Sequence, residues 1–248
     1  MKKLDNMTTF EVAKSSSKLF LLPIGSTEQH GPYLPLGTDT FVTDYLSEQI
    51  AKQIPNLIQL PTLNYSCANE HLGFAGTLTL NPQTLMQILT DLCRSVADYS
   101  DKIFLLSFHG GNKLVLQLFE AEWNYTHKKS KVYLVDFTSN QTDLIEAKLL
   151  KGKVDKHAGN GEISIGKYLF PKNVKFEKTN EKDKKKIILS KVFNRGKIID
   201  YSSIGIIDSN PMWIVSPKVG KKILYSYIDQ GVKFIKNEIS IQKKGESS

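Results

Sequence analysis

The 248-residue chain lacks the features of secreted, disulfide-bonded and membrane-spanning proteins. Its only cysteines, Cys67 and Cys93, show neither CxxC nor disulfide-framework spacing, which favours a reducing, cytoplasmic setting. Its apolar runs are far shorter than the roughly 20 residues of a membrane-spanning helix, so we expect no membrane partner. The N-terminus has an early lysine pair but no apolar h-region and no small-residue cleavage site. We therefore expect no signal peptide there.

The sequence is also poor in aromatic residues where it is most basic. Residues 171–200, called the basic segment below, contain nine lysines and Arg195 against four acidic residues and supply most of the formal net charge of +8. Only Phe176 and Phe193 accompany them, so the segment has no stacking platform for nucleic-acid bases. We therefore expect a solvent-exposed basic stretch within a long loop or arm that has short strands, over residues 171–215, and no nucleic-acid partner.

Apolar runs alternate with amphipathic stripes along most of the chain. Strand-like runs occupy residues 19–22, 57–63, 103–108 and 132–137. Helical spacing of apolar residues follows them, over residues 41–54, 82–99, 113–127, 161–169 and from 217 onwards. This alternation predicts βαβ units, and hence an α/β fold with a mostly parallel central sheet covered on both faces. Because no repeat or clear linker divides the chain, we expect a single domain over residues 1–248, with a disordered tail at 242–248.

Two of the predicted helices begin at capping signals. Asn81-Pro82 favours a helix start, with asparagine as the N-cap and proline as the first helical residue. Thr38 or Asp39 stands where the N-cap of the helix at residues 41–54 is expected.

Polar residues with metal-binding chemistry stand in the loops after the apolar runs, at the edge of the sheet where ligands bind. Glu28 and His30 are two residues apart, so an extended segment directs both side chains to one face. A carboxylate and an imidazole on one face suit a divalent metal ion. Four of the five histidines lie in glycine-rich loops: His30, His71, His109 and His157. Taken alone, His109-Gly-Gly also suits a plain helix entry after a strand.

Four motifs follow one another along the chain: EQHGPYLPLGTD, HLGFAGTLTL, SFHGGN and DKHAGNGEIS. In this order they resemble the motifs of the creatininase family of metal-dependent amidohydrolases. The resemblance covers roughly residues 20–165, and Gly205-x-x-Asp208 is similar to the family's C-terminal part. It implies a three-layer α/β/α sandwich and two divalent metal ions per chain, zinc or manganese and in some members iron. It also implies a ring-like homo-oligomer, with a hexamer favoured.

The resemblance implies roles for individual acidic residues and histidines. Glu28 and His109 are similar to the ligands of one metal ion, and His30 is similar to a ligand of the other. Asp39 resembles the carboxylate that bridges the two ions. Glu162 resembles a catalytic acid that binds the second metal ion or its bound water.

His157 matches the general acid/base that passes a proton to the departing nitrogen atom. Asp155, two residues earlier, can accept a hydrogen bond from one ring nitrogen of His157 if the segment is extended. Substrate contacts are implied for residues in or near the motifs, namely His71, Gly76, Thr77, Gly110, Asn112 and Asp155.

The chain also departs from the pattern that it resembles. Members that hydrolyse creatinine carry a glutamate, a ligand of the second metal ion, where this chain has Gly111. The usual HAGExET motif reads HAGNGEI here. Creatininases proper clamp the flat substrate with tryptophans, but residue 154 is Val154 and the only tryptophans are Trp123 and Trp213. We therefore do not expect creatinine itself to be the substrate.

The resemblance and these departures predict a metal-dependent hydrolase that cleaves a C–N amide bond in a small polar molecule. A cyclic amide, an N-formyl compound or a short peptide is expected as the substrate, and bonds other than peptide bonds are favoured. Three alternatives stay open. The same site could cleave a carbon–carbon bond in a cyclic diketone sugar, or a phosphoester held by the basic segment. The chain could also be a non-catalytic metal-binding homologue.

Overall fold

The computed structural model describes residues 2–15, 19–135, 137, 140–152, 155–176, 196–208 and 213–245. Its central sheet has five strands in the order β1-β3-β2-β4-β5, and each neighbouring pair is parallel. These strands are β1 (Lys2–Lys3), β2 (Leu19–Pro23), β3 (Leu57–Gln59), β4 (Lys102–Leu106) and β5 (Lys131–Val135). Strands β3 and β4 end earlier than the apolar runs predict, because the chain leaves the sheet to form the loops that carry His71 and His109.

Helices cover both faces of this sheet. They are α1 (Thr9–Ala13), α2 (Thr38–Ala51), α3 (Pro82–Ala97), α4 (Lys113–Thr126), α5 (Asn140–Leu149), α6 (Asn160–Leu169) and α7 (Pro217–Gly245). On one face α3 and α4 pack with strand residues such as Phe20 and Leu105. On the other face α2, α6 and α7 pack with Leu21 and Phe104. Alternate strand residues thus enter two different cores, which confirms the predicted three-layer α/β/α sandwich.

The two predicted helix starts have different outcomes. Asn81 caps α3 by accepting a hydrogen bond of 2.8 Å from the backbone N–H three residues on, and Pro82 is the first helical residue, as predicted. Helix α2 instead begins at Thr38 after Gly37, and no side chain caps it. Asp39 lies within the first turn, and its carboxylate faces two histidines rather than the helix N-terminus.

The carboxyl ends of β2 and β4 lie side by side at the centre of the sheet. Pro23, at the end of β2, is paired with Leu106, at the end of β4. The loops that follow these two strands carry Glu28 and His109. The strand register therefore delivers both side chains to the edge where ligands bind in parallel α/β sheets.

A second, two-stranded sheet was not expected from the sequence. It pairs β6 (Asp155–His157) with β7 (Ile207–Asp208) in antiparallel fashion. Strand β7 and two short 3-10 turns are the elements found among the described residues of 171–215, where the sequence predicts a loop or arm with short strands. Residues 177–195, which hold most of the basic segment, lie outside the described residues.

The C-terminal helix α7 extends to Gly245, and residues 246–248 lie outside the described part of the chain. The disordered tail expected at residues 242–248 stays a prediction. No helix in that described part is both long and apolar enough to cross a bilayer.

Helix α7 makes a close backbone contact with α6 at Gly220. A Cβ atom added to Gly220 would overlap the carbonyl group of Ser164, which is backbone and cannot rotate away. Alanine favours a helix over glycine by about 1 kcal/mol. We nevertheless expect Gly220→Ala to lower the free energy of unfolding by about 1 to 3 kcal/mol, because overpacking separates the two helices. Urea denaturation followed by circular dichroism measures this loss.

Gly231→Ala, in the same helix, is the matched control for Gly220→Ala. A Cβ atom at Gly231 would meet mainly the end of the Ile50 side chain, which can change its rotamer. Equal losses of stability in the two variants would contradict the proposed backbone clash.

Candidate active site

The site lies at the carboxyl edge of the central sheet, between β2 and β4. The loop after β2 supplies Glu28 and His30, and His109 follows β4. The first turn of α2 supplies Asp39. His71 comes from a 3-10 turn, Asn69–His71. All five side chains are buried, so their charges and hydrogen bonds are satisfied mainly by one another.

Three of these residues form a first cluster of metal-type donor atoms. Glu28 Oε1 is 3.0 Å from His71 Nε2 and 3.0 Å from His109 Nδ1. The donor atoms of Glu28, His71 and His109 all lie within 4.8 Å of one another. Asp39 adds an oxygen to this cluster, since its Oδ2 atom is 3.3 Å from His109 Nδ1. The sequence assigned His71 to substrate binding, but the structure places it against the Glu28 carboxylate.

His30 organises a second cluster on the other side of Asp39. Its Nε2 atom is 3.5 Å from Asp39 Oδ1 and 3.6 Å from Glu162 Oε2. The two Asp39 oxygens therefore face two different histidines, which is the arrangement expected of a bridging carboxylate. His157 lies close to this cluster, because the donor atoms of Glu28, His30 and His157 also lie within 4.8 Å of one another.

Backbone carbonyl groups determine which nitrogen of each histidine is free. His109 Nε2 donates to the Cys67 carbonyl oxygen at 2.7 Å, which leaves the lone pair on Nδ1, beside Glu28. His30 Nδ1 donates to the Glu28 carbonyl oxygen at 3.1 Å, which leaves Nε2 free. His157 Nε2 donates to the Gln29 carbonyl oxygen at 2.9 Å, which leaves Nδ1 free. Such hydrogen bonds orient histidine ligands and fix their tautomers.

The side chain of Gln29 connects the site loops, and the sequence analysis overlooked it. Its Oε1 atom accepts from the Gly31 N–H at 2.9 Å, which identifies the other amide atom as the Nε2 donor. That donor is 2.9 Å from His71 Nδ1 and 3.1 Å from the Gly205 carbonyl oxygen. The N–H of a neutral His71 is consequently on Nε2 and faces Glu28. This makes His71 a weaker candidate for a metal ligand than His109.

Electrostatic pairing maintains charges in a site that water scarcely reaches. Burial raises the pKa of Glu28, but His109 and His71 outweigh burial and hold that pKa well below its usual value. Burial lowers the pKa of His109, yet Glu28 and Asp39 raise it well above its usual value. Burial likewise lowers the pKa of His30, and the nearby carboxylates, Asp39 first, raise it to about 10. A metal ion and a proton therefore compete for the same ring nitrogens.

His157 and Glu162 have pKa values shifted in the directions that suit proton transfer. Burial, together with the neighbouring His71 and His30 rings, lowers the pKa of His157 well below its usual value, so this imidazole is neutral at pH 7. Burial raises the pKa of Glu162 to about 7, although His30 acts in the opposite direction. A neutral imidazole beside a carboxyl group that titrates near neutral pH suits general acid–base chemistry.

Two predicted substrate contacts use their side chains within the protein. Thr77 Oγ1 accepts a hydrogen bond from the Gln29 N–H at 3.1 Å. Asn112 is fully buried, accepts from the Cys67 N–H at 3.2 Å and donates to Ser107 Oγ at 3.0 Å. The amide of Asn112 thus joins the loop after β4 to the loop before His71, and substrate binding by Asn112 stays a prediction.

The other predicted contacts are less constrained. Gly76 lies against the Leu36 side chain, and Gly110 has open space where a Cβ atom would lie. Asp155 pairs with Asp208 through the backbone of the second sheet, but the side chain of Asp155 lies outside the described residues. Substrate binding by these residues stays a prediction.

The sequence analysis missed further residues that shape the site. Ser26 Oγ donates to Glu28 Oε2 at 2.6 Å, which leaves Oε1 facing the histidines. Glu70 Oε1 lies 3.8 Å from His109 Nε2. Gln29 stands between Glu28 and His30 in the EQH run, and this position is the one sequence signal that could have identified it.

The donor set fits divalent cations, on evidence from the side chains alone. Glu28 Oε1, His30 Nε2, Asp39 Oδ2 and His71 Nε2 are buried and make no well-directed hydrogen bond among the described residues, and their contacts with one another are close ion pairs. Buried polar atoms without partners are rare and need an explanation. Carboxylate oxygens and imidazole nitrogens are the ligands that zinc and manganese accept, so bound cations would satisfy these atoms.

The family model for creatininase, described as creatinine amidohydrolase, matches residues 5–235. The chain belongs to the creatininase family. Mycofactocin precursor peptide peptidase of Mycobacterium tuberculosis (strain ATCC 25618 / H37Rv) is 26% identical over 229 residues, 88% of this chain and 85% of that protein. Creatinine amidohydrolase of Pseudomonas putida is 25% identical over 104 residues, 40% of each protein. The solved structure "Creatininase Mn" superposes with a TM-score of 0.73 at 19% identity, covering 95% of this chain and 98% of that one.

Membership of the creatininase family confirms the resemblance seen in the four motifs. The structural likeness, at 19% identity, establishes the creatininase-like fold. The family match and the cluster of buried carboxylates and histidines identify the chain as a creatininase-family hydrolase with residues suited to metal binding.

Proposed function

We propose that this chain hydrolyses a C–N amide bond in a small substrate, with two divalent metal ions per chain. The observation that carries this proposal is the orientation of Asp39, whose two oxygens face His109 and His30. The relative that aligns with most of the chain is named a peptide peptidase, which supports a short peptide or a similar amide. This shifts the preference away from the bonds other than peptide bonds that the sequence favoured.

Five residues would hold the two ions. Glu28 and His109 would bind one ion, His30 and Glu162 would bind the other, and Asp39 would serve both. Zinc or manganese is expected, and iron also suits this set of nitrogen and oxygen ligands. When bound, the ions would supply Lewis-acid polarisation of the carbonyl group and a water molecule of lowered pKa.

The chain itself would supply the proton transfers. His157 is neutral at pH 7, lies beside Glu28 and His30, and has its Nε2 atom engaged by the Gln29 carbonyl oxygen, so its other nitrogen can accept a proton from water and return it to the departing nitrogen. Glu162 receives a hydrogen bond of 2.8 Å from the Ala158 N–H, which holds its carboxyl group beside His30. His157 is buried and the side chain of Glu162 is only 15% exposed, so little bulk water surrounds them and their electrostatic interactions are strengthened.

The partners, the oligomeric state and the cellular location of the protein stay predictions. We expect a small-molecule substrate, no nucleic-acid or membrane partner, a homo-oligomer with a hexamer favoured, and a cytoplasmic location.

A substrate panel tests the proposed reaction. Protein loaded with zinc or manganese is incubated with short peptides, N-formyl compounds, cyclic amides and creatinine, and release of amine is measured. We expect turnover of at least one amide and little turnover of creatinine, because Gly111 removes a ligand and residue 154 is not tryptophan. Creatinine turnover at about 1 to 1,000 per second, the usual range for enzymes on their own substrates, would overturn this prediction.

The same panel separates the alternatives when two compounds are added. Hydrolysis of a phosphate monoester without amide hydrolysis would favour a phosphoesterase. Cleavage of a cyclic diketone sugar alone would favour carbon–carbon bond hydrolysis. Full metal content with no turnover of any compound would favour a non-catalytic homologue.

A further inference from the structure

Glu70 lies beside the donor clusters but does not belong to either of them. Its Oε1 atom is 3.9 Å from His71 Nε2 and 3.8 Å from His109 Nε2, and both distances exceed a hydrogen bond. The proton on His109 Nε2 is already donated to the Cys67 carbonyl oxygen. The Glu70 carboxylate is therefore left without a hydrogen-bond donor among the residues that the structure describes.

The space for this carboxylate exists because residue 111 is glycine. A Cβ atom added to Gly111 would overlap Glu70 Oε1 and the His109 ring. Any larger residue at 111 would thus displace Glu70 from its position.

Glu70 is also more accessible than the carboxylate that it accompanies. Its side chain is 17% exposed, whereas the side chain of Glu28 is fully buried. Glu28 faces two histidines at 3.0 Å, so its charge is already balanced within the protein. Glu70 therefore presents a negative charge to whatever enters the site from solvent, and a positively charged group is its natural partner.

We propose that Glu70 binds the ammonium group of a substrate that carries a free amine next to the scissile amide. Such substrates are α-amino amides and short peptides with a free N-terminus. The inference rests on the proposed amide hydrolysis and names the substrate class that Glu70 selects. Glu70 is a specificity-determining residue in this reaction.

The contacts of His71 place Glu70 close to the carboxylate of the first cluster. His71 Nε2 is 3.0 Å from Glu28 Oε1 and 3.9 Å from Glu70 Oε1. An ammonium group bound by Glu70 would therefore lie close to a carbonyl group held beside Glu28. In an α-amino amide the ammonium nitrogen is two bonds from the carbonyl carbon, so this class of substrate fits that arrangement.

Two hydroxamates that differ only in an amine test this inference by binding. Alanine hydroxamate has an α-ammonium group, and propionohydroxamate lacks it, while both can chelate a bound metal ion. Isothermal titration calorimetry at pH 6.5 measures their affinities for zinc-loaded protein. We expect wild-type protein to bind alanine hydroxamate at least about tenfold more tightly than propionohydroxamate, because a charge-assisted hydrogen bond usually contributes this much to affinity. Glu70→Gln should reduce this ratio to about one.

Glu122→Gln is the matched control, because it makes the same charge change at an exposed position on α4 and should keep the wild-type ratio. Equal affinities in the wild type, or a preference retained in Glu70→Gln, would overturn the inference. Loss of metal from Glu70→Gln would also overturn it, by making Glu70 a ligand. If neither hydroxamate binds the metal-loaded wild type, the proposed metal-dependent function fails, and the inference fails with it.

Discussion

Replacing Asp39 by alanine should remove both metal ions from each chain and reduce the rate of hydrolysis more than about 1,000-fold. This loss exceeds the roughly 10- to 100-fold effect that is typical when a residue hydrogen-bonded to a metal ligand is removed. The reason is that one carboxylate serves both positions, since its two oxygens face His30 and His109. Its loss also leaves two buried imidazoles without their shared counter-ion. Elemental analysis after reconstitution with zinc or manganese measures the metal content, and amide turnover measures the rate.

Asp44→Ala is the matched control for Asp39→Ala. Asp44 lies in the same helix, but its carboxylate accepts hydrogen bonds from Gln59 and Thr62, outside the site. We expect this variant to keep both metal ions. One full equivalent of metal retained by Asp39→Ala would show that Asp39 is not the bridge. Less than one equivalent in reconstituted wild-type protein would contradict a two-metal site altogether.

Replacing His157 by alanine should keep the metal content and the oligomer while kcat falls by about 100- to 10,000-fold, the usual worth of general acid–base catalysis. The ring is buried, has a pKa well below its usual value and has one nitrogen engaged by the Gln29 carbonyl oxygen. Its other nitrogen is therefore unprotonated and free to accept a proton. Steady-state kinetics and metal analysis on the same preparation test both halves of this prediction.

His127→Ala provides the matched control, because His127 stacks on Trp123 at 3.7 Å, away from the site, and should leave kcat unchanged. Loss of metal from His157→Ala would make His157 a ligand, a role compatible with its position near Glu28 and His30. An unchanged kcat on the true substrate would make His157 structural, and another acid would have to serve the departing nitrogen.

Sequence patterns predicted those parts of the molecule that depend on neighbouring residues. The run at residues 103–108 predicted a strand buried on both faces, and β4 is fully buried. Asn81-Pro82 predicted a capped helix, because an N-cap needs only the backbone three residues on. The loops after β2 and β4 predicted the meeting of Glu28 and His109, because parallel strands end at the same edge of a sheet.

The remaining features depend on contacts between distant residues. Strands β6 and β7 have three and two residues, too few for a periodic pattern. Asp39 was expected to be a possible helix cap, but interaction with two histidines outweighs that local preference. Glu70 and Gln29 carry no motif of their own, and their roles follow only from the side chains that other loops place beside them.

The hydrogen bonds of Gln29 have a consequence for the order in which the protein is made and assembled. The backbone carbonyl oxygen of Gln29 accepts from His157, 128 residues away, and its side chain donates to the Gly205 carbonyl oxygen, 176 residues away. Contacts between such distant residues form late in folding, because the entropic cost of closing a long loop must be met before the contact can stabilise the chain. A ribosome-bound chain that has not yet released residue 205 cannot complete this network. The arrangement of loops that Gln29 joins is therefore completed only after most of the chain has been translated.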